Sequence, residues 1–186
     1  MGRGTLAGPV LASALILRRT SFTIPVDDSK RLSPEARERA YGAILPWADY
    51  GIGHATPEEI DRIGIGAATT LAMRRAFERL PVKPALVLVD GPWVFRGCSV
   101  PAEAIVDGDA KSLSIACASI VAKVTRDRMM RTLHKILPHY GFLRHKGYGT
   151  PEHLKQLRAI GPSSFHRFSF HPVRESGGVH PELVEG

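Results

Sequence analysis

The stretch Gly108-Asp109-Ala110-Lys111-Ser112-Leu113-Ser114-Ile115-Ala116-Cys117-Ala118-Ser119-Ile120-Val121-Ala122-Lys123-Val124-Thr125-Arg126-Asp127-Arg128-Met129 places an acidic residue directly before a helix of small side chains that ends in basic ones. Leu113, Ala116, Ile120, Val121 and Val124 recur at helical spacing and make one apolar face. Ser114, Ala118, Ser119 and Ala122 keep the backbone thin enough to lie close to a sheet. The pattern puts Asp109 at the helix N-terminus. There the helix dipole favours its charge, and its oxygens remain available to backbone N–H groups or to a metal. Taken alone, an aspartate in that position is more often a cap than a catalytic group.

Working outward, strands and helices alternate. Pro9 to Leu17 is a nearly continuous apolar run, the signature of a central or near-central strand buried on both faces. Trp47 to Ala55 reads as a second strand. Thr56-Pro57-Glu58-Glu59 joins an N-cap, a first-turn proline and a capping-box glutamate, and opens a helix to about Leu80. Ser33-Pro34 and Thr150-Pro151 announce two further helices in the same way. Ala85 to Val89 is a short strand that delivers Asp90 at its end, and Ala104 to Val106 is another. Pro81 to Pro84 is a loop, and Arg174 to Gly186 reads as a weakly ordered tail. No internal repeat is present.

Composition agrees with one globular domain: 186 residues with 44% hydrophobic content can bury a sizeable core. Cys98 and Cys117 are too few for a disulfide framework or a zinc ribbon, which points to a reducing, cytoplasmic setting in which Cys117 simply packs. Val10 to Leu17 is too short to cross a bilayer, so a soluble protein is expected. The chain carries a net charge of +7, and residues 105–170 alone hold eleven Lys or Arg against four Asp or Glu. Lys111, Lys123, Arg126, Arg128, Arg131, Lys135, Arg144, Lys146 and Lys155, with Phe142 and Tyr148 interleaved, suit a phosphate backbone. His134, His139 and His145 lack the paired cysteines or i, i+4 spacing that a zinc site would favour.

Read together with Leu86-Val87-Leu88-Val89-Asp90-Gly91 and His145-Lys146-Gly147-Tyr148, the opening stretch resembles ribonuclease HII. The resemblance continues through Gly2 to Val10, Asp28 to Ser33, Glu59-Ile60-Asp61 and His166 to Val173, so it covers nearly the whole chain in order. It implies an α/β fold, an RNase H-like mixed sheet flanked by helices with a C-terminal helical extension, over residues 1–173 and before a tail at 174–186. It implies an endonuclease that cuts the RNA strand of RNA–DNA hybrids and cuts 5′ to ribonucleotides in duplex DNA, leaving 3′-hydroxyl and 5′-phosphate ends. The work would belong to DNA replication and repair, by a monomer in the cytoplasm. Carried over by motif position, Asp90 and Asp109 are catalytic residues and metal ligands for two Mg2+ or Mn2+ ions. Gly2, Arg3 and Gly4 would read the ribose 2′-hydroxyl, Tyr148 would pack on the neighbouring deoxyribose, and Ser29, Lys30, Lys111 and Lys146 would contact substrate. Hydrolysis of a phosphodiester needs an activated water and neutralisation of developing charge, which carboxylate-held divalent ions supply.

The family pattern also carries an Asp-Glu pair on a central strand just ahead of the Gly-Arg-Gly turn, and the separating position here is Met1. Glu58-Glu59 belongs to a helix cap and Asp27-Asp28 to a loop, so neither replaces the pair. The expectation is a late start or a fragment, with the Pro9 to Leu17 strand beside a vacant central position or in a rearranged sheet. Such a chain would be inactive; the alternative is a non-catalytic binder of hybrid or junction nucleic acid. Further departures are Gly64 for the usual Asn, Pro92-Trp93-Val94 after Asp90-Gly91, and Asp107, expected to face solvent.

Overall fold

The computed structural model describes residues 1–23 and 31–177. Within them run strands β1 (Val10–Leu17), β2 (Ala48–Ala55), β3 (Val87–Asp90) and β4 (Ala102–Ile105). The α-helices are α1 (Pro34–Ile44), α2 (Pro57–Glu78), α3 (Gly108–Lys111), α4 (Leu113–Ile136), α5 (Phe142–His145), α6 (Pro151–Ile160) and α7 (His171–Arg174). The helix starts follow the local signals. Ser33 Oγ accepts from Ala36 N–H at 3.1 Å and Thr150 Oγ1 from His153 N–H at 3.3 Å. The capping box closes reciprocally, Thr56 N–H to Glu59 Oε2 at 2.9 Å and Glu59 N–H to Thr56 Oγ1 at 3.2 Å. α2 is interrupted at Gly64, whose φ of 77° and ψ of 155° break the helical path.

The chain divides into two compact units. The first comprises residue 1, residues 11–54 and residues 70–125; the second comprises residues 2–10, 55–69 and 126 onward.

In the first unit, Ala40, Ile44, Ala48, Cys117, Ile120, Val121 and Val124 form a buried cluster, with Leu15, Leu17 and Ile52 packed against it. The apolar face read from α4 is therefore the face that lies in this core. Burial pushes the Cys117 thiol up to about 12. A thiol reagent at pH 8 is expected to modify half-buried Cys98 in the native protein and Cys117 only after unfolding, as a mass spectrum of the labelled chain would show. Gly53 lets β2 lie directly on α2, because a Cβ there would strike the Ala72 carbonyl. Arg75 fastens the same contact by donating to His54 O at 2.8 Å.

The sheet is interrupted. Among the described residues β1 pairs only with β2, and β3 only with β4. β3 and β4 are parallel, with Val87 opposite Ala102 and Asp90 opposite Ile105. Their connection packs back through Phe95, whose ring lies 5.8 Å from that of Phe77 on α2. β1 is therefore not a strand buried on both faces. Val10 and Leu11 are buried, whereas residues 12–17 are half-buried. Met1 marks the other flank: its amino group donates to Leu11 O at 2.6 Å and Leu11 N–H donates back to Met1 O at 3.0 Å. That reciprocal exchange is the first rung of an antiparallel ladder.

In the second unit the core is Leu6, Ala7, Met130, Leu133, Tyr140, Phe142, Leu157 and Val173. Residues 2–8 thread through it, bridged in antiparallel fashion at Thr5 to Tyr148 and at Ala7 to His166. Leu6 N–H donates to Gly147 O at 2.8 Å and Arg167 N–H to Leu6 O at 2.9 Å.

Candidate active site

Asp90 is exposed at the C-terminal end of β3. Its Oδ1 accepts the Gly108 N–H at 3.0 Å, which fixes the rotation of the carboxylate against the turn that carries Asp109. Gly108 is buried, and a Cβ at that position would push into Ile115 Cδ1 at 2.6 Å and lie 3.4 Å from Asp90 Oδ1. The close approach therefore depends on glycine. Asp107 precedes it in the left-handed region, with φ 55° and ψ 42°, and reverses the chain into α3. α3 lies on β3, so the turn that carries Asp109 packs against the strand that carries Asp90.

This placement corrects one expectation. Asp109 does not cap the long helix; it sits in the separate turn α3, because Ser112 is extended (φ −134°, ψ 124°) and splits α3 from α4. Asp107 is exposed, as expected, but it also makes the turn. Lys111, expected to contact substrate, is exposed and its Nζ donates to Val106 O at 2.7 Å. Among the described residues no group of three or more His, Cys, Asp or Glu is placed to hold a metal ion. Asp90 and Asp109 thus supply hard oxygen donors of the type Mg2+ or Mn2+ prefers, but only part of the shell two ions require. The donor type fits those metals.

The second unit builds the Gly2-Arg3-Gly4 turn from behind. Gly2 has φ +80°, and a Cβ on it would collide with the Arg126 guanidinium. Arg126 donates through Nε to Pro9 O (3.0 Å), through Nη1 to Lys146 O (3.0 Å), and through Nη2 to Thr5 Oγ1 (2.9 Å) and Ala7 O (3.1 Å). Arg167 donates through Nε to Gly8 O (3.1 Å), through Nη1 to Arg3 O (3.0 Å), and through Nη2 to Gly2 O (2.7 Å) and Gly8 O (2.9 Å). Thr5 Oγ1 closes the turn on Gly2 O at 3.1 Å. Two buried guanidiniums therefore hold the carbonyls of this segment, while Arg3 and Gly4 are exposed.

Burial lowers the pKa of Arg126, and burial followed by the charge of Arg126 pushes Arg167 down to about 9. Arg126, read from the sequence as part of a positive surface, is buried because its fork serves four main-chain and side-chain acceptors. Phe142, read as an interleaved aromatic for nucleic acid, is likewise a core residue. Arg128, Arg131, Lys135, Arg144 and Lys155 are exposed, and Lys123 and Lys146 are half-buried.

Tyr148 is 44% exposed, although its backbone is held on both sides. Its N–H donates to His145 O at 2.9 Å and its carbonyl accepts from Thr150 N–H at 2.8 Å. Lys146 adopts φ 51°, and its Nζ donates to Leu143 O. Ser29 and Lys30, together with Asp28, lie outside the described residues. Sequence reasoning gave Arg126 no positioning role and assigned none to Arg167 or Asp61. The Asp61 carboxylate accepts from the N–H groups of Phe168 and Ser169, both at 2.9 Å, and from Ser169 Oγ at 2.6 Å, so it fastens the segment that carries Arg167. Two motif blocks far apart in the chain, around Asp61 and around Arg167, are thus one construction.

Helices around short paired strands, with one aspartate at the end of β3 and another on the helical turn after β4, fit the RNase H-like fold class. In fold the chain is similar to the ribonuclease H2 from Pyrococcus horikoshii OT3, with a TM-score of 0.80 and 24% identity over 100% of this chain and 96% of that one. It is also similar to Bst-RNase HIII in complex with Mn2+, with a TM-score of 0.74 and 17% identity, covering 98% of this chain and 68% of that one. The family model Ribonuclease HII matches residues 1–173. A ribonuclease HII of Thermotoga maritima is 52% identical over 174 residues, which is 94% of this chain and 71% of that protein. The chain belongs to the ribonuclease HII family, and by family it is a ribonuclease H.

Proposed function

We propose that the chain is the framework of an endonuclease that hydrolyses the RNA strand of RNA–DNA hybrids and cuts 5′ to single ribonucleotides in duplex DNA, leaving 3′-hydroxyl and 5′-phosphate ends. The observation that carries this reading is the Asp90 carboxylate, locked by Gly108 N–H against the turn bearing Asp109. Asp90 and Asp109 are assigned as ligands of two Mg2+ or Mn2+ ions, in keeping with the Mn2+ complex of the similar Bst-RNase HIII. When bound, such ions lower the pKa of a coordinated water and neutralise charge developing on phosphate. The chain's own residues bind and orient. The main chain of Gly2-Arg3-Gly4, rigid on its two guanidiniums, approaches the ribose 2′-hydroxyl; Tyr148 covers the adjoining deoxyribose; Lys111, Lys146, Ser29 and Lys30 contact the backbone. The protein is proposed to work as a monomer in the cytoplasm, in replication and repair; among the described residues no helix is long and apolar enough to cross a membrane.

Two carboxylates hold a metal pair poorly, so the 186-residue chain is proposed to bind such a duplex without cutting it efficiently. The experiment compares the chain with a version extended by an apolar strand ending in Asp-Glu, on a labelled duplex containing one ribonucleotide in Mg2+ and in Mn2+. Cleavage by the extended chain only, abolished by Asp90→Asn, is the expected result. Efficient metal-dependent cleavage by the 186-residue chain, lost on Asp90→Asn, overturns the half-site. A second reading, a non-catalytic binder, is favoured by the intact Gly2 to Gly4 turn held by Arg126 and Arg167; binding without cleavage by both chains would establish it.

A further inference from the structure

Three histidines outside the site just described stack inside the second unit. The His145 and His153 rings lie 4.4 Å apart at 14°, and His153 Nε2 is 3.0 Å from His166 Nε2. Phe142 closes the group with its ring 5.5 Å from His153 and 5.6 Å from His166. All three histidines are buried.

Each neighbour dictates where a proton sits. Tyr148 O, at 2.9 Å, only accepts, so His153 Nδ1 carries hydrogen. His153 Nε2 then accepts, and His166 Nε2 is the donor. That leaves His166 Nδ1 to accept from Ser163 N–H at 3.0 Å and Ser163 Oγ at 2.9 Å. His145 repeats the logic: Nε2–H donates to Tyr140 O at 2.6 Å, and Nδ1 accepts from Gly147 N–H at 3.2 Å. One neutral tautomer per ring satisfies the whole set. An added proton sets two donors face to face at Gly147 when it sits on His145 Nδ1, and between His153 and His166 when it sits on His153 Nε2; on His166 Nδ1 it opposes the Ser163 N–H but can turn to Ser163 O at 3.3 Å.

We propose that His153, aligned by His166 and flanked by His145, is a positioning residue: the single proton order of these rings fixes the Tyr148 carbonyl and the Gly147 amide, and so aims the Tyr148 side chain. The proposal rests on the reading that Tyr148 contacts nucleic acid. Aim is lost in acid, when the rings take up protons. The charged groups acting on the trio surround its outer member, with Glu152 favouring protonation of His145 and Arg144 and Lys146 opposing it. His153 and His166 respond to the other histidines. Of the other elements packed on this core, residues 6–7 contribute Leu6 and Ala7, and α4 contributes Met130 and Leu133 together with the buried Arg126, whose Nη1 donates to Lys146 O at 3.0 Å. The Tyr140 ring lies 4.7 Å from that of His166, and the buried Arg167 follows His166 in the chain.

The test measures affinity of the 186-residue chain for a fluorescent duplex with one ribonucleotide, at pH 7.5 without divalent ion. Asn and Leu have the same shape, but only Asn can present a donor where His153 Nδ1 stands. His153→Leu is expected to weaken binding about tenfold and His153→Asn by less than about threefold, the difference one positioned hydrogen bond makes. Adding Tyr148→Ala to His153→Leu should cost nothing beyond Tyr148→Ala alone. Equal binding by the Leu and Asn variants, or additive losses, overturns the positioning role alone. Parent-like binding by Tyr148→Ala overturns the nucleic-acid role of Tyr148 and the proposal with it. Long-range proton–nitrogen correlation spectra of the unmodified chain give a check independent of any variant: Nδ1–H on His153 with Nε2–H on His145 and His166 supports the order, and any other pattern overturns it.

Discussion

Arg167→Lys, a substitution that conserves charge, is expected to lower the melting temperature of the chain by about 5 to 15 °C at pH 7, the shift that about 2 to 4 kcal/mol produces in a domain of this size. The guanidinium reaches three carbonyls at once, those of Gly2, Arg3 and Gly8, and two of these belong to buried residues. An ammonium on a flexible stem cannot span that fork, so buried carbonyls lose their donors. The desolvation cost of the charge is not recovered either, since an ammonium is more strongly hydrated than a guanidinium. Arg167 already bears such a cost: burial and the neighbouring Arg126 push it down to about 9. Arg167→Met separates the two effects. It loses the same hydrogen bonds but removes the buried charge, so it is expected to melt above the Lys variant. Thermal unfolding followed by circular dichroism decides the order, and a Lys variant as stable as the parent would show that the fork does not hold the turn. Both variants should also bind a ribonucleotide-containing duplex less tightly, because the Gly2 to Gly4 backbone loses its rigid support.

What the sequence made legible was local. Ser33-Pro34, Thr56 with Glu59, and Thr150-Pro151 each capped a helix where their chemistry requires it, because a cap depends on residues three positions apart. Asp90 and Asp109 stood out only by motif, and the structure brings their segments together through one N–H bond. The break at Ser112 was not legible, since nothing in Lys111-Ser112-Leu113 forbids a continuous helix; the extended Ser112 follows from how α3 lies on β3. The roles of Arg126 and Arg167 were hidden for a different reason. An arginine reads as a surface charge until its acceptors are known, and here they lie 117 and 159 residues away in sequence. The histidines show the same limit. His134, His139 and His145 drew notice through closeness in sequence, yet the ring that joins His145 is His153, followed by His166, at separations no ligand motif prescribes.

Among the described residues β1 and β3 each have a partner strand on one flank only, and Met1 exchanges its main-chain bonds with Leu11 on the flank of β1 away from β2. A strand continuing that rung would cover unpaired backbone of β1, which otherwise carries a desolvation or aggregation penalty. Pairing a further strand on that flank is expected to raise the melting temperature of the chain.

Acid should unfold the chain well before its carboxylates alone would. Burial pushes His153 down to about 4, and burial with the charges of the other histidines pushes His166 down to about 3, whereas in the unfolded chain both titrate near 6.5. Above about 6.5 both states are neutral and the full stability is present. As pH falls below that value the unfolded chain takes up protons the folded one refuses, so stability is lost across the window from about 6.5 down to about 4 and then 3. Each refused proton costs about 1.4 kcal/mol per pH unit, and two of them cost about 3 kcal/mol per unit once the unfolded histidines are charged. Against a total stability of about 5 to 15 kcal/mol, that slope exhausts a large share between pH 6 and pH 4.5. The urea midpoint is expected to fall steeply over that interval in the parent. In a His153→Asn, His166→Gln double variant, which carries amides where the two rings stood, the slope should be markedly shallower even if the midpoint at pH 7.5 is lower. Equal slopes in the two proteins would mean that His153 and His166 accept protons in the folded state, and that the proton order among the three rings is not enforced.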